Sequence, residues 1–128
     1  MKIAFVTSEV VPYSKSGGLA DVCGSLPSAL RLLGADVVTV TPLHRSAKNH
    51  FREDVPVQLE VPLGGVTIRP RISRSGQKFF IEHDPFFDRD ELYGTSEGAY
   101  EDNAARFTFF CRAAIDLLQK LGPPDLVH

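Results

Sequence analysis

Seven consecutive residues, Lys15-Ser16-Gly17-Gly18-Leu19-Ala20-Asp21, hold the sharpest chemical pattern in the chain. Two adjacent glycines let a ligand approach the backbone closely, and at the opening of a helix their N–H groups meet a dipole that favours anions such as phosphates. Lys15 adds a mobile positive charge to the same place. The segment is not a Walker A loop, whose lysine follows the glycines at a longer spacing, and it is not a GxGxxG dinucleotide fingerprint. The same residues also suit a tight turn with a solvated lysine, so the local pattern leaves both readings open. Glu9 lies just upstream with no second carboxylate at a definable distance, and anchoring of the loop is the role expected of it rather than acid–base work. His44, His50, His83 and His128 include no pair at i and i+4, so no metal site is expected. Cys23 and Cys111 are too far apart in sequence for a metal or redox pair and are expected to be buried free thiols.

These residues need a scaffold, and the apolar pattern supplies one. Ile3-Ala4-Phe5-Val6 reads as a buried parallel strand whose end turns polar at Thr7-Ser8-Glu9, where side chains tend to face ligands. Leu19, Val22, Cys23, Leu26, Leu30 and Leu33 then recur at helical spacing up to Gly34, with Pro27 inside the pattern predicting a kink or a local break. Val37 to Thr41 is a second β-branched strand. Strand, helix and strand together have the length of a βαβ crossover, the start of a Rossmann-like α/β fold. Val57 to Val61, Val66 to Ile72 and Lys78 to Ile81 predict a meander turning at Gly64-Gly65 and Ser73-Arg74-Ser75-Gly76. Residues 83–98 lack periodicity and predict a long loop, often a functional one. From Tyr100 or Glu101 a helix follows whose apolar face is expected to include Ala104, Phe107, Cys111, Ala114, Ile115 and Leu118, ending at Gly122-Pro123-Pro124. Asp125 to His128 opens a further strand. A parallel sheet begun in this way needs more strands than the chain supplies, so a truncated domain is expected. Its sheet edge and the helix face around Phe107, Phe110 and Ile115 should then lack partners.

Composition bounds the function. With 128 residues, 43% of them hydrophobic, the chain suffices for one domain with a real core. A formal charge of −2 with mixed signs gives no basic stripe, which argues against nucleic acid as a partner. No apolar run approaches the roughly 20 residues of a membrane span, and the N-terminal apolar stretch is too short for a secretory signal. A cytoplasmic protein without membrane partners is expected. No repeat or low-complexity tract is present.

Ser8-Glu9, Pro12, the stretch Lys15 to Val22 and Leu26-Pro27 resemble the N-terminal signature of bacterial glycogen synthases and plant starch synthases, with Ser16 where threonine is usual. The substitution keeps the hydroxyl. The resemblance continues through Phe87-Asp88-Arg89-Asp90, Leu92-Tyr93-Gly94, Tyr100, Asp102-Asn103, Arg106-Phe107, Arg112-Ala113-Ala114 and Pro124 to His128, and so covers essentially the whole chain. It implies a glucosyltransferase with two Rossmann-like domains. Such an enzyme moves glucose from a nucleotide sugar to the 4-hydroxyl at the non-reducing end of an α-1,4-glucan, with retention and without a metal or other cofactor. A bacterial type implies ADP-glucose rather than UDP-glucose as donor. In those terms residues 1–128 are part of the N-terminal, glucan-acceptor domain with a β-meander insertion. The C-terminal nucleotide-binding domain is absent, and the segment alone is expected to be inactive. By similarity, Lys15 and the backbone at Gly17 and Gly18 face the donor's phosphates, Tyr93 lies near the reacting centre as the catalytic candidate, and Asp21 and Asn103 shape the substrate cleft or hold its loops. His128 matches the first histidine of a family His-Ala-His-Asp-Trp stretch whose aspartate belongs to the active site. The rival reading is a non-catalytic module that holds a nucleotide sugar or glucan without turning it over.

Overall fold

A computed structural model describes all 128 residues. The chain opens with β1 (Lys2–Val6), α1 (Gly18–Leu32) and β2 (Asp36–Pro42), the expected βαβ unit, with β1 and β2 parallel and in register from Lys2↔Asp36 to Val6↔Val40. β3 (Glu53–Asp54), β6 (Arg71–Ser75), β7 (Lys78–Glu82) and β10 (Leu126–Val127) complete a six-stranded sheet in the order β10-β1-β2-β7-β6-β3. β10, β1, β2 and β7 run parallel, whereas β6 and β3 are antiparallel additions at one side. The second part of the meander therefore joins the sheet, turning between β6 and β7 at Gly76, whose φ of +57° lies in the left-handed region.

The other extended predictions are redistributed. Val66 to Ile72 splits at Arg69-Pro70 into β5 (Val66–Ile68) and β6, because a proline lacks the N–H that a continuous ladder needs. β5 pairs with β4 (Val61–Leu63) as a separate hairpin over Gly64-Gly65, and Val57 to Glu60 form no strand. Residues 83–98 contain α2 (Asp84–Phe87) and β8 (Gly94–Thr95), which pairs with β9 (Gly98–Ala99). Elements this short leave no periodicity to read.

The two faces of the sheet are covered by different helices, as alternation along a strand requires. Ile3, Phe5 and Val37 pack with Cys23 of α1, while Ala4, Val38 and Val40 pack against α3 (Asn103–Leu121). α1 continues as a helix on both sides of Pro27, which lacks the N–H for its own helical bond and is buried. Of the predicted face, Cys23 is buried and Leu26 and Leu30 pack against the core, joined by Ala20 and Pro27, whereas Leu19, Val22 and Leu33 are exposed.

α3 also presents a different face from the one expected. Arg106, Phe109, Phe110, Ala113, Leu117 and Leu118 are among its buried residues, a stripe rotated by about one residue from the predicted one. Phe110 is buried and Phe107 packs against the core, so of the three residues expected to lack partners only Ile115 is exposed. The same rotation turns Cys111 outward as an exposed thiol; Cys23 alone is the buried free thiol expected. β10 lies at the sheet edge with both residues exposed.

Candidate functional site

The C-terminal ends of β1 and β2 meet the N-terminus of α1 and the segment from Phe86 to Tyr100. At their centre lies Glu9, 2% exposed. Its carboxylate accepts from the Ser16 amide (3.1 Å) and hydroxyl (2.6 Å), the Gly17 amide (3.2 Å), the Ala20 amide (3.3 Å) and the Tyr93 hydroxyl (3.0 Å). Burial works to raise its pKa, but donation from Ser16, Tyr93 and Gly17 outweighs burial and holds it below the ordinary value of 4.5. Glu9 thus anchors the loop, and its negative charge sits against the positive end of α1.

This anchor sorts the helix-opening amides. Gly17 N–H is engaged by Glu9, whereas the Gly18 and Leu19 amides make no hydrogen bond within the chain, and both residues are exposed. Neither glycine is needed by the backbone. Gly17 is extended at φ −165°, neither has a positive φ, and a Cβ on either would meet nothing within 4 Å. A tight turn does not explain the pair.

Beside them an open cleft of about 700 Å³ is lined on one side by Pro12 to Ser16 and Ser46 and on the other by Asp90 to Thr95 with Gly98 and Ala99. It brings Lys15 and Tyr93 into one space. Lys15 is half-exposed and paired with Asp21 at 2.8 Å, so Asp21 reaches the site only through that pair. The Tyr93 hydroxyl donates to Glu9 and accepts from Ser8 Oγ at 2.6 Å. Burial and the Glu9 carboxylate push its pKa above 10 against the opposing Ser8 contact. Asn103 lies behind Tyr93: its Nδ2 donates to the Tyr93 carbonyl (2.8 Å), and its Oδ1 accepts from Arg106 (2.8 Å).

Two buried polar neighbours of this centre were not singled out by sequence reasoning. His44, just after β2, is 1% exposed and donates from Nε2 to the Ser8 carbonyl at 2.8 Å. Burial drives its pKa from 6.5 to about 4, so the ring is neutral at neutral pH. Arg106 is fully buried without a carboxylate contact; it donates from Nε to the Phe86 carbonyl (2.7 Å) and from Nη1 to the Leu92 carbonyl (3.0 Å). The guanidinium lies over the rings of Phe87, Tyr100 and Phe107. The available signal was a lone charge three residues from Asn103 and three before Phe109, on what proves to be the buried stripe.

Outside this centre, Arg45 binds Asp88 (3.1 Å) and Asp90, and Lys48 binds Asp84 (2.8 Å), strapping the 3-10 turn at Arg45–Ala47 to α2. Arg89 makes a bidentate pair with Asp102.

A mostly parallel sheet carrying a glycine pair, a lysine and unpaired helix-opening amides beyond its strand ends defines an α/β protein with an open cleft at the carboxyl ends of its strands. Residues 2–128 match the family model described as "Starch synthase catalytic domain", and the chain belongs to that family. It is similar to the glycogen synthase of Koribacter versatilis, with 44% identity over 133 residues, and to that of Geotalea daltonii, with 40% over 135. All of this chain and 28% of each relative are covered, so the chain spans a little over a quarter of their length. A solved structure, the catalytic domain of starch synthase IV from Arabidopsis thaliana bound to ADP and acarbose, superposes with a TM-score of 0.83 at 28% identity, covering 98% of this chain and 27% of that one. No helix here is long and apolar enough to cross a membrane.

Proposed function

We propose that this chain supplies one wall of the site of a retaining glucosyltransferase that extends an α-1,4-glucan from ADP-glucose, a cytoplasmic glycogen synthase, and that it does not turn over substrate alone. One observation carries the reading: Gly17 and Gly18, which the backbone does not require, open α1 next to Lys15 with two amides unpaired within the chain, and a Cβ on either glycine would meet nothing within 4 Å. Departure of a nucleoside diphosphate builds negative charge, and a lysine with preorganised amides is placed to stabilise it. The ADP in the Arabidopsis structure supports an adenine nucleotide as the donor's leaving half. Tyr93 borders the same cleft as a group that meets the transferred sugar or the glucan end. The aspartate and the second Rossmann-like domain implied by family resemblance lie outside residues 1–128, and Glu9 is fully engaged as an anchor, which is why the chain alone is read as inactive.

The test uses a hybrid in which residues 1–128 replace the matching segment of the Koribacter versatilis relative. Gly18→Ala places a methyl group in open space, so it should leave the melting temperature unchanged while lowering kcat/KM for ADP-glucose at least tenfold, about 1.4 kcal/mol. Unaltered kinetics in a folded variant would refute the anion-cleft reading.

A further inference from the structure

Asn103 and Arg106 are three residues apart on α3 and so share a face of its first turns. Together they grip the segment that carries Tyr93. The Tyr93 carbonyl accepts from Asn103 Nδ2 at 2.8 Å, and the preceding Leu92 carbonyl accepts from Arg106 Nη1 at 3.0 Å. The same Nη1 donates to Asn103 Oδ1 at 2.8 Å, which orients the amide so that its nitrogen faces Tyr93. Arg106 Nε reaches the Phe86 carbonyl, so one rigid guanidinium spans the segment from Phe86 to Leu92. A lysine has no such fork.

The energetics set this arginine apart. A fully buried cation without a carboxylate partner is costly, and its Nη2 has no hydrogen-bond partner at all. An apolar side chain would fill the space among Phe87, Tyr100 and Phe107 without that penalty. What an apolar residue could not do is fix two backbone carbonyls and an amide at once. Phe87 carries the arrangement across the site, with Arg106 over its ring at 5.4 Å and His44 at its edge at 5.7 Å. His44 in turn holds the Ser8 carbonyl, and Ser8 Oγ meets the Tyr93 hydroxyl. The residues that hold the Tyr93 backbone and the partner of its hydroxyl therefore both pack on one phenylalanine.

We propose that Asn103 and Arg106 are positioning residues for Tyr93: they set its hydroxyl against Ser8 and Glu9 from behind and do not themselves meet substrate. The inference rests on the reading of Tyr93 as part of the ligand cleft. Of the two roles expected of Asn103 it takes up the second, holding a loop of the cleft, since both ends of its amide are engaged within the chain.

The first measurement uses the 128-residue chain with 13Cζ-labelled tyrosine, which gives three resonances, from Tyr13, Tyr93 and Tyr100, with Tyr93→Phe assigning the second. Asn103→Ala, at a half-buried position, should move the Tyr93 resonance toward that of a free phenol while the melt stays cooperative; Arg106→Gln should do so more strongly and Arg106→Lys only in part. An unmoved Tyr93 resonance in folded Asn103→Ala overturns the inference. In the hybrid, Tyr93→Phe and Asn103→Ala should each lower kcat about tenfold with little change in KM for ADP-glucose, and the double variant should lose no more than the worse single one. Independent sites would add instead, and additive losses also overturn it. Failure of the cleft reading looks different: full activity in Tyr93→Phe, whatever the resonance does in Asn103→Ala.

Discussion

Lys15 and Asp21 form an ion pair at 2.8 Å with both side chains about half-exposed. Such surface pairs contribute between nothing and about 1 kcal/mol, so Lys15 can exchange its carboxylate for a donor phosphate at little cost. A charge-assisted hydrogen bond to that phosphate is worth roughly 1.5–3 kcal/mol. In the hybrid, Lys15→Ala should therefore lower kcat/KM for ADP-glucose at least tenfold without shifting the melting temperature, and Lys15→Arg should recover part of the loss. Unchanged kinetics for the alanine variant would show the lysine to be merely solvated. His44 makes the second residue-scale prediction. Its folded pKa of about 4 lies below the ordinary 6.5, so between those values the unfolded chain binds the proton and the folded chain resists it. Its contribution to stability is complete above pH 6.5 and is lost as pH falls from 6.5 to 4, about 3 kcal/mol in all. His44→Gln can keep an N–H for the Ser8 carbonyl but cannot titrate. The fall in its melting temperature from pH 7 to pH 4 should be shallower than that of the unaltered chain, and identical curves would remove His44 as the titrating group.

Among the elements, long periodic ones were legible in kind and only partly in orientation. α3 is found where the apolar spacing predicts a helix, yet its buried face is rotated because the reading weighed Ala104, Phe107 and Cys111 as core and passed over Arg106. A buried arginine breaks the rule that charge faces water, and only tertiary partners, here the Phe86 and Leu92 carbonyls and three aromatic rings, reveal it. α1 was drawn toward Leu19, Val22 and Leu33 for a similar reason, since small Ala20 and buried Pro27 carry little hydropathic weight. The strand–helix–strand unit and the Lys15–Gly18 segment were readable because their signals are local. His44 was not, because its importance comes from reaching Ser8 across 36 residues of sequence. Tyr93 came from family resemblance alone, and its neighbours at Ser8 and Glu9 lie 85 and 84 residues away. Glu9 was read in role but not in partners, which emerge only when α1 points its first amides at the carboxylate.

At the scale of the whole molecule the two sheet edges differ in kind. β3 ends the sheet with Glu53 and Asp54, two exposed carboxylates with Arg74 at 3.6 Å and Arg71 at 3.4 Å, and a short charged edge resists pairing with another chain. β10 is as short but carries no charge. It is bonded to β1 on one side through His128 N–H to Ala4 and Val6 N–H to His128, while its other side is unpaired and its residues, Leu126 and Val127, are apolar and 47% and 61% exposed. Parallel strands are normally flanked and covered on both faces, so a parallel edge of this composition templates association. Ile115 at 59% exposure adds apolar surface on α3. The 128-residue chain should therefore self-associate in sedimentation velocity as its concentration rises, and Val127→Lys should shift it toward monomer. In the hybrid, where further chain follows His128, the same residues should melt at a higher temperature. ADP-glucose should raise the melting temperature of the isolated chain little, because ligand stabilisation grows with concentration relative to a dissociation constant that one wall of a site leaves weak. A monomeric 128-residue chain that melts cooperatively at the hybrid's temperature would mean that the β10 edge needs no neighbour.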